Sequence, residues 1–261
     1  MRVTPQLGWI VAWSFLEGIL NTTISDEPAG QRGKALQKLP AAVLWDMDGT
    51  LVDTEPYWIA TEFALAEEYG GEWSEADAAH LVGSDLIVSG AYIKNKLGLP
   101  HTPAEVVELL LDGVCARLDA DVPWRPGARE LLADLVAQDI PCALVTMSWQ
   151  RFAAPILAHL PPESFKVIVT GEQVANGKPH PEPYETAAAA LGVDPRDCVA
   201  IEDSPTGATS AGAAGCTVLV VPNHVPVPLL PGWIERDSLT GIDATTLKSL
   251  PFRDRPEIDR V

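Results

Sequence analysis

Two aspartates one residue apart, Asp46 and Asp48, follow directly on a short apolar run, AVLW at 42–45. Like charges held this close repel each other unless a cation or a proton offsets them, so the pair is a candidate for chemistry. More polar residues stand at the ends of later apolar runs or in the loops after them: Thr146, Lys178, Glu202 and Asp203. The whole set consists of carboxylates, one ammonium group and one hydroxyl.

These side chains could act together only if the fold brings their parts of the chain together. Five apolar runs predict strands, at 42–46, 141–146, 166–170, 198–203 and 217–221. Their hydrophobicity is continuous rather than alternating, which is typical of strands buried on both faces of a parallel sheet. Helical patterns lie between the later runs, and this alternation predicts an α/β fold with a doubly wound parallel sheet. Because ligands bind beyond the carboxyl ends of such strands, we expect the polar set on one rim.

A long interval separates the first two predicted strands and carries helical patterns but no convincing strand. A simple crossover between parallel strands needs only about a dozen residues. We therefore predict an all-helical cap at 57–123, inserted into a discontinuous α/β core formed by 41–56 and 124–261.

The N-terminal segment, 1–40, is predicted to be a non-catalytic extension. Its apolar stretch at 7–20 is interrupted by Glu17 and is too short to span a bilayer. No small-residue cleavage pattern follows it, and the next residues are typical of a linker.

The composition excludes some classes of partner. The formal net charge is −18, from 36 acidic and 18 basic residues, which argues against nucleic acid and anionic membranes as partners. The four cysteines form no C-x-x-C pair, so we interpret them as reduced thiols of a cytoplasmic protein. We expect this protein to be monomeric.

The polar set itself indicates a metal and an anionic substrate. Mg²⁺ prefers carboxylate oxygens, water and substrate phosphate, and it would offset the repulsion among the acids. Lys178 adds a fixed positive charge, and helices capped by Ser148 and Ser204 would aim backbone N–H groups at a phosphoryl group. Neither G-x-x-x-x-G-K-[ST] nor G-x-S-x-G occurs, which argues against a P-loop nucleotide site and an α/β-hydrolase.

The sequence resembles the haloacid dehalogenase superfamily, in the subgroup with a helical cap after the first strand. That subgroup includes β-phosphoglucomutase and many sugar-phosphate phosphatases. The motifs that carry the resemblance occur in order: DMDGT at 46–50, Thr146 after ALV, Lys178 in GKPHPEPY, and EDSPTG at 202–207. D-x-D-G-T alone is moderate support, but all four motifs at the predicted strand ends are a strong and specific combination.

The resemblance implies a role for each acid next to the first strand. Asp46 would be the nucleophile, forming an aspartyl phosphate. Asp48 would protonate the leaving alcohol and later deprotonate the attacking water.

The resemblance also implies how the phosphoryl group and Mg²⁺ are held. Thr146 and Lys178 would bind the phosphoryl oxygens. Asp203 would bind Mg²⁺ together with the Asp46 side chain and the main-chain carbonyl of Asp48. Glu202 would support the ion directly or through water.

The resulting hypothesis is a Mg²⁺-dependent phosphatase acting on a small phosphorylated metabolite such as a sugar or polyol phosphate. A β-phosphoglucomutase-type phosphomutase is the alternative, and two residues argue against it. Thr50 follows D-x-D-G as in phosphatases of this group, and Trp58 stands where the mutases carry a histidine. A dehalogenase is disfavoured because Asp48 has no role in displacing halide. A non-catalytic binding protein on the same fold would have no need of Asp46.

Overall fold

The computed structural model describes residues 39–81 and 86–250. Within them, six strands form one parallel sheet in the order β3-β2-β1-β4-β5-β6. The strands are β1 (Ala42–Trp45), β2 (Cys142–Val145), β3 (Val167–Val169), β4 (Cys198–Glu202), β5 (Thr217–Val220) and β6 (Ile234–Glu235). The five predicted strands are all present, and the α/β fold class is confirmed. β6 was not predicted, because two residues are too few to produce a periodic pattern.

Nine α-helices accompany the sheet in the described ranges, and five of them lie between β1 and β2, the first four within the inserted segment. Those four are α1 (Glu55–Glu68), α2 (Glu75–Leu81), α3 (Leu86–Leu97) and α4 (Pro103–Ala120). The others are α5 (Ala128–Ala137), α6 (Gln150–Ala158), α7 (Glu182–Leu191), α8 (Pro205–Ala214) and α9 (Ala244–Lys248). The insertion after β1 is therefore entirely helical, as the interval without a strand predicted.

The inserted helices have a hydrophobic core of their own, which includes Leu65, Ile93 and Leu110. The two chain segments that join them to the sheet run side by side. Val52 forms a β-bridge with Trp124, and the Arg125 amide donates to the Leu51 carbonyl at 3.0 Å. The exact limits of the cap at 57 and 123 stay a prediction. The predicted extension, 1–40, lies outside the described residues except for its last two.

Hydrophobic layers cover both faces of the sheet. Val43 and Trp45 belong to one buried cluster, which also contains Leu131 of α5 and Phe152 of α6. Ala42 and Leu44 point to the other face, into a cluster with α7 and α8. Because neighbouring residues of β1 enter different clusters, every position in the strand is apolar.

None of the four cysteines, all within the described residues, forms a disulfide, and three of them are buried. No helix within 39–81 or 86–250 is both long enough and apolar enough to cross a membrane.

Candidate active site

Lys178 connects two of the predicted site residues at the carboxyl edge of the sheet. Asp46 follows β1, and its amide extends the ladder by donating to the Ile201 carbonyl of β4 at 3.0 Å. Glu202 ends β4. The Lys178 ammonium group donates to Asp46 Oδ1 at 2.6 Å and to Glu202 Oε1 at 2.7 Å. All three side chains are at least nine-tenths buried, so this ion-pair network is little screened by water.

The turn after Asp46 brings Asp48 back towards the same rim. The Met47 carbonyl accepts from the amides of Leu51 and Val52, and the Gly49 amide donates to the Val52 carbonyl at 2.7 Å. Gly49 has a φ of +88°, and a Cβ at this position would overlap the Asp203 carboxylate. Only glycine therefore permits both the backbone conformation and the close approach of Asp203.

Both carboxylate oxygens of Asp48 are held by hydroxyl groups. Thr54 donates to Oδ1 at 2.9 Å, and Ser148 donates to Oδ2 at 2.7 Å. Burial raises the pKa of Asp48, and the two hydrogen bonds oppose that shift in part. Because Thr54 is the residue before α1 and Ser148 follows β2, the position of Asp48 depends on both the cap and the core.

Thr146 lies at the end of β2 and is almost fully buried. Its hydroxyl accepts a hydrogen bond from the Ser148 amide at 3.0 Å, and its own amide donates to the Val169 carbonyl of β3 at 2.9 Å. These bonds fix the loop between β2 and α6 against the sheet. Thr146 is thus positioned on the same rim as the acids, as predicted.

The two predicted helix caps have different outcomes. Ser204 caps α8, because its hydroxyl accepts from the Gly207 amide at 3.0 Å, and this prediction is confirmed. The Ser148 prediction is wrong. Helix α6 begins at Gln150 after Trp149, without a side-chain cap, and the Ser148 hydroxyl donates to Asp48 instead.

Three carboxylates could hold a metal ion. One oxygen each from Asp46, Glu202 and Asp203 lies within 4.8 Å of the others. Asp46 Oδ2 is buried and has no hydrogen-bond partner among the described residues. A buried carboxylate oxygen without a donor is unfavourable, and a cation would satisfy it. The donor set of carboxylate oxygens therefore fits Mg²⁺.

Mutual repulsion among these acids shows in their pKa values. Burial is the main cause that raises the pKa of Asp46 well above its ordinary value, and Glu202 and Asp203 add to the shift while Lys178 opposes it. Burial and the charge of Glu202 likewise raise the pKa of Asp203 to about 7. The cluster therefore carries an excess of negative charge that a divalent cation would offset.

Glu202 is the most enclosed of the three acids, and sequence reasoning missed one of its contacts. The hydroxyl of Tyr184, in α7, donates to Glu202 Oε1 at 2.6 Å, and Ser204 donates to Oε2 at 3.2 Å. A Cβ at Gly207 would overlap this carboxylate. A signal for Tyr184 was available, because it is the one aromatic residue in EPYETAAAAL and a buried tyrosine usually needs a partner for its hydroxyl.

The cap residues next to the site are mostly structural. The Trp58 ring packs against Phe152 with their centroids 5.3 Å apart, and the Tyr57 hydroxyl donates to the Asp121 carbonyl at 3.3 Å. Residues 83–85, which belong to the predicted cap, lie outside the described part of the chain.

Comparison with known proteins agrees with this geometry. The pattern that defines haloacid dehalogenase-like hydrolases matches residues 43–221. Hexitol phosphatase B of Escherichia coli (strain K12) is 32% identical over 185 residues, covering 69% of this chain and 83% of that protein. A bifunctional riboflavin kinase/FMN phosphatase of Arabidopsis thaliana is 32% identical over 191 residues, covering 72% of this chain, and the chain spans only 50% of its length.

A solved structure supports the same assignment. CbbY from Rhodobacter sphaeroides, crystallised in complex with phosphate, superposes with a TM-score of 0.69 at 25% sequence identity. The match covers 80% of this chain and 99% of that one. The family pattern, the helices inserted after β1 and the four motifs on one rim of a parallel sheet all agree. The chain belongs to the haloacid dehalogenase-like hydrolase family.

Proposed function

We propose that this protein is a Mg²⁺-dependent phosphatase that hydrolyses a small phosphorylated metabolite, a sugar or polyol phosphate, through an aspartyl phosphate. The observation that carries the proposal is the difference in contacts between the two carboxylate oxygens of Asp46. One of its oxygens is held by Lys178, while the other is buried without a partner in the described structure. The similarity to hexitol phosphatase B supports the choice of substrate class.

Asp46 would attack the phosphorus atom of the ester. The new bond joins an Asp46 carboxylate oxygen to phosphorus, and the bond from phosphorus to the bridging oxygen breaks. The departing oxygen takes a proton from Asp48, whose raised pKa favours the protonated form. Water then attacks the aspartyl phosphate, Asp48 takes one of its protons, and Asp46 is regenerated as phosphate leaves.

The remaining rim residues would hold charge while these bonds change. Lys178 donates to Asp46 and Glu202 and is positioned to donate to phosphoryl oxygens as well. The Thr146 hydroxyl, which accepts from the Ser148 amide and also interacts with Asp48, would donate to a phosphoryl oxygen when substrate is bound.

Asp46 and Asp203 would hold Mg²⁺ with their carboxylates, and Asp48 with its main-chain carbonyl. The bound ion would neutralise phosphoryl charge and reduce repulsion between the substrate and the acids. Glu202 would support the ion indirectly or through water, because both of its carboxylate oxygens already accept hydrogen bonds. The donors are Lys178, Tyr184 and Ser204.

We also propose that the protein is a cytoplasmic monomer that binds neither nucleic acid nor membranes. The lack of a disulfide among the four cysteines supports a reducing compartment, and the net charge of −18 supports the absence of polyanionic partners. Sedimentation and a nucleic-acid shift assay at low salt would test these points.

A panel of sugar and polyol phosphates, assayed for phosphate release with and without Mg²⁺, tests the function. We expect release only with Mg²⁺, complete loss in Asp46→Asn and a severe loss in Asp48→Ala. Asp119→Asn, an exposed change of the same type in α4, is the matched control and should retain activity. Undiminished release by Asp46→Asn would refute the mechanism.

A second outcome would favour the phosphomutase. Interconversion of β-glucose 1-phosphate and glucose 6-phosphate without net phosphate release would replace the phosphatase by that alternative. Absence of turnover on every ester, with Mg²⁺ present, would favour a binding protein.

A further inference from the structure

An acidic cleft of about 650 Å³ lies between the first two cap helices and the loop that follows β5. Its polar lining residues are Glu55 of α1, Glu75 of α2 and His224 of the loop. The apolar part of its lining includes Ile59, Ala78 and Val225. This volume is within the usual range for small-molecule sites, which is roughly 300–1,000 Å³. We call this feature the acidic cleft.

The acidic cleft adjoins the proton-transfer residue of the proposed mechanism. Thr54, which donates to Asp48, directly precedes Glu55. Burial raises the pKa of Glu55, and the nearby charges of His224, Asp53 and Asp48 also act on it. Glu55 and Asp48 are thus close enough to interact. The wall of the cleft at Glu55 is therefore one residue away from the hydroxyl that holds Asp48.

The charge of the acidic cleft is negative among the residues that the structure describes. Glu55 and Glu75 are the charged lining residues, and neither a lysine nor an arginine lines the cleft in that part of the chain. His224 is paired with a carboxylate, with its Nε2 at 2.8 Å from Asp53 Oδ1. Arg125 is behind the loop and is engaged there, donating to Asn223 Oδ1 and to the Pro222 carbonyl.

Carboxylates accept hydrogen bonds readily from hydroxyl groups and repel other anions.

We propose that the acidic cleft binds the leaving alcohol and selects an uncharged polyhydroxyl group, rejecting leaving groups with a carboxylate or a second phosphate. Glu55 and Glu75 both accept hydrogen bonds from substrate hydroxyls, and both repel a leaving group that carries a negative charge. This inference rests on the proposed phosphatase function and narrows its substrate class.

A matched substrate pair tests the selection. Sorbitol 6-phosphate and 6-phosphogluconate share a six-carbon chain and differ at the far end, where one carries a hydroxyl group and the other a carboxylate. A like charge about 6 Å away, at an effective dielectric constant of about 40, weakens binding roughly tenfold. We therefore expect kcat/KM for sorbitol 6-phosphate to exceed that for 6-phosphogluconate by roughly tenfold or more, mainly through KM.

Variants show whether Glu55 is responsible. In Glu55→Gln the ratio of the two kcat/KM values should fall by roughly fivefold, because one repelling charge is gone. Glu68→Gln is the matched control, since Glu68 belongs to the same helix, is exposed and does not line the cleft. It should leave the ratio unchanged. A merely structural defect would lower both values of kcat/KM together and preserve the ratio, and that result would overturn the assignment of Glu55.

Hydrolysis of p-nitrophenyl phosphate separates this inference from the proposed function. If the enzyme hydrolyses p-nitrophenyl phosphate with Mg²⁺ but uses both six-carbon substrates equally, or prefers 6-phosphogluconate, the selection is refuted and the phosphatase stands. If no ester is hydrolysed, the phosphatase is refuted and the selection is refuted with it.

Discussion

Replacing Glu62 by glutamine should stabilise the protein at neutral pH and leave its stability nearly unchanged in mild acid. Glu62 lies in α1 and is only 6% exposed. Its Oε2 and the indole Nε1 of Trp73 are both buried without a hydrogen-bond partner in the described structure. Burial raises the pKa of Glu62 from 4.5 to about 7, with a smaller contribution from the charge of Glu55, while the nearby Trp73 partly opposes the shift.

The direction of the effect follows from proton binding. Between pH 4.5 and about 7 the folded chain holds a proton on Glu62 that the unfolded chain has lost. Stability therefore falls as pH rises through this window and reaches a constant deficit above it. At about 1.4 kcal/mol per pH unit the deficit has a ceiling of roughly 3.5 kcal/mol. Relaxation and partial solvent contact reduce this, so we expect about 2 kcal/mol.

Urea unfolding at several pH values, followed by tryptophan fluorescence, measures the difference. Glu62→Gln should match the wild type within about 0.5 kcal/mol at pH 4 and exceed it by about 2 kcal/mol at pH 8. Glu68→Gln, the exposed change on the same helix, should show no such trend. Because other titrating groups are common to all three proteins, their contributions cancel. A difference between Glu62→Gln and wild type that does not vary with pH would refute the reasoning.

Three further substitutions address the rim and the contact between cap and core. The backbone at Gly49 is left-handed, and the Cβ of Gly49→Ala would overlap Asp203. Steady-state assays should therefore show roughly a hundredfold loss of phosphate release. A loss under threefold would contradict this. Tyr184→Phe removes a donor from buried Glu202 and should lower the free energy of unfolding by about 2 kcal/mol in urea, whereas an unchanged midpoint would show that the hydroxyl is dispensable. Arg151 of α6 contacts two exposed carboxylates of α4, so Arg151→Ala should cost less than about 1 kcal/mol, a loss that about 1 M salt removes. A larger loss that persists in salt would indicate a packing role.

The position of the rim residues was predictable because it depends on local signals and one rule of topology. The apolar runs that precede Asp46 and Thr146 are visible in sequence, and parallel strands place their carboxyl ends at one edge. Lys178 was harder to place by spacing alone, and its approach to Asp46 and Glu202 depends on how the loop after β3 folds back.

The contacts that sequence reasoning missed join residues that are far apart in the chain. Ser148 looked like a helix cap because a hydroxyl before an apolar helical pattern usually is one. In the structure, helix α6 begins only at Gln150, after Trp149, so Ser148 is not the capping residue, and its hydroxyl donates to Asp48, a contact with a residue 100 positions away. The acidic cleft was not visible either, because Glu55, Glu75 and His224 share no motif and meet only through the packing of the cap on the core.

The crowding of acids around Lys178 also affects how long a molecule of this protein survives. Folding brings Asp46, Glu202 and Asp203 together around a single ammonium group, and their repulsion opposes the folded state. A cation that binds there stabilises only the folded chain, by about 2.7 kcal/mol at a hundred times its dissociation constant. A molecule without the ion would therefore unfold, and be degraded, more readily than one with it. Ion supply would then set the abundance of the protein as well as its rate.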